Sequence, residues 1–238
     1  MRTIILHYHL FKNAGTSIDK ILKDNFGDKW VTREFAGSNN TNQISDWILS
    51  NPDAIAFSSH TMTGPIPKIA DVIIVSIMIL REPVQRITSA YKFERNQNAD
   101  TWGAQLAKQT TFEEYVVARL QKQGDAQCRN FQVERLATLR PGSQPKVQRA
   151  IEALDDLTVV GIVERFETTL ELLKREINKY YPDFKIQTTH ANQSTKADVE
   201  LGPALTQLLH ECNKDDRKLW LEGLEIMQSK ALPSEFGD

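Results

Sequence analysis

The stretch Val72 to Leu80 constrains this chain more than any other part of its sequence: eight apolar residues and Ser76, most of them β-branched, cut off by Arg81-Glu82-Pro83. A run without polar alternation has no face to give to water. It reads as a central strand of a parallel sheet, covered on both sides. At nine residues it falls far short of the roughly 20 apolar residues that span a bilayer. Pro83 suits the first turn of a helix, where its missing N–H would have no partner, and Val84, Ile87 and Tyr91 then share that helix's inner face.

Around this strand the chain alternates. Thr3 to His9 reads as a strand, Lys12 to Ser17 as a polar turn, and Ile18, Ile21, Leu22 and Phe26 recur at spacings of three and four, which predicts a helix. Ala54 to Phe57 is a short buried strand ahead of Ser58-Ser59-His60, Leu157 to Val163 is another, and Phe184 to Gln187 is a last short one. Gly37 to Asn42 reads as a surface loop. Three helical patterns fill Thr110 to Leu154, Phe166 to Tyr180 carries the stripe Phe166, Leu170, Leu173 and Ile177, and Pro203 to Gln228 forms one long amphipathic helix. This alternation predicts an α/β fold: three layers, P-loop-like, with a central, mostly parallel sheet flanked by helices.

Composition limits the functions open to such a fold. With 29 basic and 31 acidic residues the formal net charge is -2, so the surface as a whole is not built for nucleic acid or an anionic membrane, and any anion site must be local. The N-terminal segment lacks the basic flank and apolar core of a signal peptide. Cys128 and Cys212 stand far apart without metal-ligand spacing. The expectation is a cytoplasmic protein with reduced cysteines.

Ligands of parallel sheets bind at the carboxyl ends of strands, where loops enter helix N-termini. The segment His9-Leu10-Phe11-Lys12-Asn13-Ala14-Gly15-Thr16-Ser17 stands at such a junction. Its backbone amides and the following helix favour an anion, Gly15 permits close approach, Thr16 and Ser17 add hydroxyls, and Lys12 supplies a full charge. The P-loop of nucleoside triphosphatases needs G-x-x-x-x-G-K-[ST]. Here the lysine precedes the first glycine by three positions, so that reading fits poorly.

A second junction follows the central strand, in Leu80-Arg81-Glu82-Pro83-Val84-Gln85-Arg86-Ile87-Thr88-Ser89-Ala90-Tyr91. Arg81 lies at the strand exit and Ser89 about two turns down the helix, so that a guanidinium and a hydroxyl converge on one phosphate. Arg86 reads as a surface charge and Tyr91 as core. In this order the two segments resemble the loops of sulfotransferases that use 3'-phosphoadenosine 5'-phosphosulfate (PAPS): H-x-P-K-x-G-G-T-S for the 5'-phosphosulfate and L-R-[DE]-P-x-x-R-x-x-S-x-Y for the 3'-phosphate. The resemblance is closest to the carbohydrate branch that includes the heparan sulfate 2-O- and 6-O-sulfotransferases. Phe11 stands where that pattern has proline and Ala14 where it often has glycine, departures that bear on loop stiffness more than on chemistry. Asn130 to Ala137 resembles the branch's N-x-Q-x-x-x-L-A helix and Val160 to Phe166 its V-G-x-x-E-x-F strand end, both with architectural roles. His190 to Lys196 resembles its late H-x-N-x-S loop, which implies that Ser194, Thr195 and Lys196 help bind the 3'-phosphate.

The resemblance implies transfer of a sulfuryl group from PAPS to a hydroxyl or amine, with the desulfated nucleotide PAP as product. Lys12, Asn13, Ala14, Gly15, Thr16 and Ser17 would hold the donor's phosphosulfate, and Lys12 would also stabilise charge on the oxygen between phosphorus and sulfur. A sulfuryl group carries less charge than a phosphoryl group, so no metal is required. Histidine, with an unperturbed pKa of about 6.5, is the natural base. His60 follows a buried strand, should reach the sheet edge that holds Lys12, and matches the histidine held to be the base in the 2-O branch. His7 and His9 share one strand face and read as core or wall residues, His190 and His210 are weaker candidates, and Glu82 or Glu94 stand in reserve. Seven basic against two acidic residues between Arg119 and Arg149 are a candidate wall for an anionic glycan. Trp30, Trp47 and Trp102 read as packing rather than as sugar platforms. Residues 1–238 are expected to form one sulfotransferase domain, with 110–155 a helical insertion shaping the acceptor side. The rival readings are an ATP-dependent P-loop kinase-like transferase and a catalytically silent nucleotide-binding module.

Overall fold

The computed structural model describes residues 1–186, Val199 and 201–231. Five parallel strands form one sheet in the order β2-β3-β1-β4-β5, where β1 is Arg2–Tyr8, β2 Trp30–Thr32, β3 Ala56–Ser59, β4 Val72–Leu80 and β5 Val159–Ile162. The helices are α1 (Gly15–Phe26), α2 (Thr41–Leu49), α3 (Pro83–Asn96), α4 (Trp102–Gln109), α5 (Phe112–Gln121), α6 (Phe131–Leu136), α7 (Lys146–Glu152), α8 (Phe166–Asn178), α9 (Pro203–Cys212) and α10 (Lys214–Ala231). The run without alternation is internal, as expected: β4 lies between β1 and β5, and its last six residues are buried.

Alternation along β1 sorts the layers, because successive side chains point to opposite faces. Ile5 meets Ile18, Ile21 and Leu22 of α1 and Leu173 and Ile177 of α8. Ile4, Leu6 and Tyr8 face the other layer, with Ile44 and Ile48 of α2, Leu136 of α6, Ala150 of α7 and Leu219 of α10. Each fully buried Ile or Leu contributes roughly 1.5–3 kcal/mol, so the two layers hold the sheet rigid beneath its loops. From β1 the chain leaves toward β2 and from β4 toward β5, so the crevice where the paths part lies between the carboxyl ends of β1 and β4.

Several elements depart from the expectations. β2 is three residues long, too short for a pattern, and α2 starts inside the segment read as the Gly37–Asn42 loop. Phe184 to Ile186 form no strand; Phe184 instead stacks on Phe26 at 5.8 Å and fills the cluster beneath α1 and α8, while Gln187 lies outside the described residues. The single helix expected from Pro203 to Gln228 is two, α9 and α10, parted at Asn213. The Asn213 side-chain amide donates to the carbonyls of Leu209 and Cys128, each at 2.9 Å, a side-chain bond that competes with helix continuation. Cys128 and Cys212 are both free, and burial pushes the Cys128 thiol up to about 12. Among the described residues no helix is long and apolar enough to cross a membrane.

Candidate active site

The two loops meet in the crevice between β1 and β4. Arg81 Nη1 donates to the carbonyl of Lys12 at 3.1 Å. Asn13 Nδ2 donates to the Ile79 carbonyl and to Gln132 Oε1, each at 2.8 Å. Gln132 completes the joint by accepting from the Arg81 N–H at 2.9 Å and donating to the Arg81 carbonyl at 2.8 Å. Its helix, α6, is itself anchored: the N–H groups of Gln132 and Val133 donate to the Asp216 carboxylate at 3.0 and 2.8 Å. Asn13, expected to meet the ligand, is 1% exposed and turns its side chain inward as a strut between the loops.

The N-terminus of α1 is open. Lys12 and Ala14 adopt φ of 64° and 60°, Ala14 occupies the N-cap, no side chain caps the helix, and its first turn holds no acidic residue. Its first N–H groups therefore lack a side-chain acceptor, and the positive end of the helix dipole is uncompensated. Thr16 is exposed and Ser17 half-buried at this end. Gly15 serves a purpose that sequence reasoning missed. A Cβ there would lie 2.1 Å from His9 Cδ2, so the missing side chain makes room for an imidazole.

Two cations share the crevice. The Lys12 ammonium sits over the Phe93 ring, 4.3 Å from its centroid, and Phe11 meets the same ring edge-on at 5.5 Å. Burial and then the charge of Arg81 lower the Lys12 pKa, and burial lowers that of Arg81 against the pull of Glu164 and Glu82. Arg81 Nε is buried without a hydrogen-bond partner. Among the described residues neither cation has a carboxylate within 4.0 Å. Burying unpaired like charges is unfavourable until an anion joins them. Ser89 lies about two turns into α3, 9% exposed.

Other residues of the second loop are structural. Arg86, expected at the surface, is fully buried: it donates to Gln127 Oε1 at 3.2 Å and to the Gln127 carbonyl, and it covers the Phe131 ring. Tyr91 is core, its hydroxyl donating to the Thr110 carbonyl at 2.8 Å. The reserve bases are committed elsewhere. Glu82 caps α3 by accepting from the Gln85 N–H at 2.8 Å, and Glu94 pairs with Arg119 at 2.6 Å while accepting from the Tyr115 hydroxyl.

His60 stands beside the first loop because β1 and β3 run in register, Tyr8 opposite Ser59. The next residues along, His9 and His60, therefore meet, with ring centroids 3.8 Å apart and planes tilted by 41°. The His60 N–H donates to Glu34 Oε1 at 3.2 Å and its carbonyl accepts from Arg135 Nη2 at 2.7 Å, so charged side chains hold both ends of the residue. His60 is exposed as a whole and screened on its His9 side. Burial and then the charge of His9 lower its pKa, against smaller opposing effects of Glu34 and Asp19.

Beneath this pair lies a carboxylate. Asp19 of α1 takes His7 Nδ1 at 2.8 Å on one oxygen and His9 Nδ1 at 2.7 Å on the other. Burial alone would raise the Asp19 pKa, but the bonds from His7 and His9 prevail and hold it well below the usual carboxylate range. These three groups lie within 4.8 Å of one another. With an ionised carboxylate both Nδ1 atoms are donors, so the cluster is a hydrogen-bonded triad. Asp19 had a signal in the sequence: His7 and His9 point to one face, and the helix covering that face must answer them.

The basic stretch from Arg119 to Arg149 is largely paired internally. Arg119 binds Glu94 and Asp125, Arg140 binds Asp156, Lys146 binds Glu134, Arg149 donates to the carbonyls of Ala137 and Arg140, and Lys122 lies over Trp102. Arg135 is the member that touches His60. Trp47 is core, Trp30 is half-buried, and Trp102 is 40% exposed. His210 is exposed on α9. His190, Ser194, Thr195 and Lys196 lie outside the described residues.

A crevice at the switch point of a parallel α/β sheet, lined by an uncapped helix end and two cations, is an α/β arrangement suited to an anionic ligand. The chain belongs to the sulfotransferase family, whose sequence profile matches residues 2–220. It is also similar to an uncharacterized protein of Archaeoglobus fulgidus, 35% identical over 232 residues that cover 93% of this chain and 91% of that relative.

Proposed function

We propose that this sulfotransferase is a single cytoplasmic domain that takes the sulfuryl group from PAPS and places it on a hydroxyl, or an amine, of a carbohydrate or small metabolite. The observation that carries the reading is the joint between the loops, Arg81 bonded to the Lys12 carbonyl, because loops this close can serve one ligand. The amides from Asn13 to Ser17, with the Thr16 and Ser17 hydroxyls and Lys12, hold the 5'-phosphosulfate. Arg81 and Ser89, joined by Ser194, Thr195 and Lys196, hold the 3'-phosphate.

His60 takes the proton of the acceptor. The acceptor oxygen forms its bond to sulfur as the bond from sulfur to the bridging oxygen breaks, and that electron pair leaves on the 5'-phosphate of PAP. Lys12 neutralises the growing charge there, a contact of a kind worth ~3 to 4 kcal/mol. Side-chain cations suffice for the smaller charge of a sulfuryl group, so the scheme routes no step through a metal. In the 110–155 segment Arg135, which reaches His60, and the exposed Arg129 are the groups that favour an anionic acceptor, such as a glycan already bearing carboxylate or sulfate.

The test is sulfate transfer from labelled PAPS to a panel of glycans, phenols and alcohols. Lys12→Ala and His60→Ala should each slow transfer at least ~100-fold. Undiminished turnover by His60→Ala would assign the proton to another group. Absence of transfer to any acceptor, together with no binding of PAPS, would remove the reading.

A further inference from the structure

The reading of His60 as the base leaves His7, His9 and Asp19, three charged or polar groups beside it, without a part in the chemistry. Their arrangement is not that of ordinary core residues. A carboxylate taken from water is costly unless it is fully bonded, and Asp19 is bonded on both oxygens by imidazoles from β1 and from the residue that follows it. The His9 ring is fixed at its Nδ1 by Asp19, by contact with Gly15, where even a methyl group would not fit, and by the ring of His60.

We propose that His9, clamped by Asp19, is a positioning residue for the His60 base, so that the proton acceptor of this enzyme is the outer member of an Asp19–His9–His60 stack. The proposal rests on His60 acting as base. Asp19 holds His9 with its proton on Nδ1 when the ring is neutral, which fixes the ring plane. That plane sets the angle at which His60 meets the acceptor, and an orientation error at a base is expensive in rate. His60 is also faced by Glu34 from the segment after β2 and by Arg135 from α6. These two grip its backbone, which leaves the ring orientation to His9. When His60 takes the proton it becomes cationic beside the Asp19 and Glu34 carboxylates, which favour that charge.

Ring titrations of His9 and His60 by nuclear magnetic resonance test this without any turnover. His9→Phe keeps an aromatic face but removes the imidazole whose charge, when present, lowers the His60 pKa. The His60 midpoint should therefore rise, and the acid limb of kcat/KM should move up with it. In the same variant kcat should fall about 10-fold while KM for PAPS stays within about twofold. Asp19→Asn should abolish the fixed Nδ1–H form of His9. A folded His9→Phe protein, by circular dichroism, with an unmoved His60 midpoint overturns the proposal. Should His9→Phe not fold, the near-isosteric Asp19→Asn carries the test, and an unchanged His60 titration in it overturns the proposal equally. A wild type that transfers no sulfate and binds no PAPS would instead sink the functional reading, leaving the titrations intact.

Discussion

The first turns of α1 and α3 stand side by side at the carboxyl ends of β1 and β4, and they are finished in opposite ways. α3 opens on proline, which has no N–H, and is capped by its own Glu82 carboxylate, which takes the Gln85 amide. α1 opens on a left-handed Ala14, with no cap and no acid in its first turn. Leaving a helix terminus uncapped typically costs about 1 kcal/mol, which becomes reasonable where a ligand anion takes the place of the cap. In the proposed reading the two termini divide the labour of binding: α1 would offer backbone amides and a lysine to one phosphate group, while the α3 side would offer side chains, Arg81 and Ser89, to another.

This contrast is upset most strongly by giving α1 an acid. Thr16→Asp places a carboxylate in its first turn, where it should stabilise the free helix slightly and repel the ligand. PAP affinity should fall by about 100-fold or more, since like charges set together cost several kcal/mol; calorimetric titration reads it. Arg81→Ala tests the other side, where loss of hydrogen bonds from a charged group, ~1.5–3 kcal/mol, predicts roughly 10- to 100-fold weaker PAP binding. Glu82→Ala should lower stability by about 1 kcal/mol in denaturant unfolding, yet leave PAP affinity unchanged or slightly tighter, because a carboxylate close to Arg81 is gone. A loss of PAP binding in Glu82→Ala would mean that the α3 terminus is also a binding element. Ala14→Gly should have the smallest effect. It relieves a left-handed alanine worth roughly 1–2 kcal/mol and gives back about 0.4–1 kcal/mol in unfolded-chain freedom. The expected result is a change in thermal stability within about 1 kcal/mol, stabilising in direction.

The elements that position this site were legible where one residue type dominates a stretch. Val72–Leu80 can hardly be anything but an inner strand, and the segments at 9–17 and 80–91 can be placed at strand exits without knowing any contact. What stayed hidden depends on partners distant in sequence. Gln132 belongs to a motif read as architectural, but its bonds to Asn13 and Arg81 were not legible. Arg86 looks like a surface charge until Gln127 and Phe131 enclose it. Asn213 breaks a convincing amphipathic pattern because the carbonyl of Cys128, 85 positions away, competes for its amide. Gly15 illustrates a subtler limit: its position in a phosphate loop was legible, but its contact with His9 depends on where a neighbouring ring lies.

If one nucleotide touches both termini, titration of PAP into the full chain in the presence of a magnesium chelator should reveal it. The expected outcome is one PAP per chain, bound without magnesium and weakened by both Thr16→Asp and Arg81→Ala. Binding of ATP with magnesium in place of PAP, or PAP binding indifferent to either substitution, would refute the shared nucleotide.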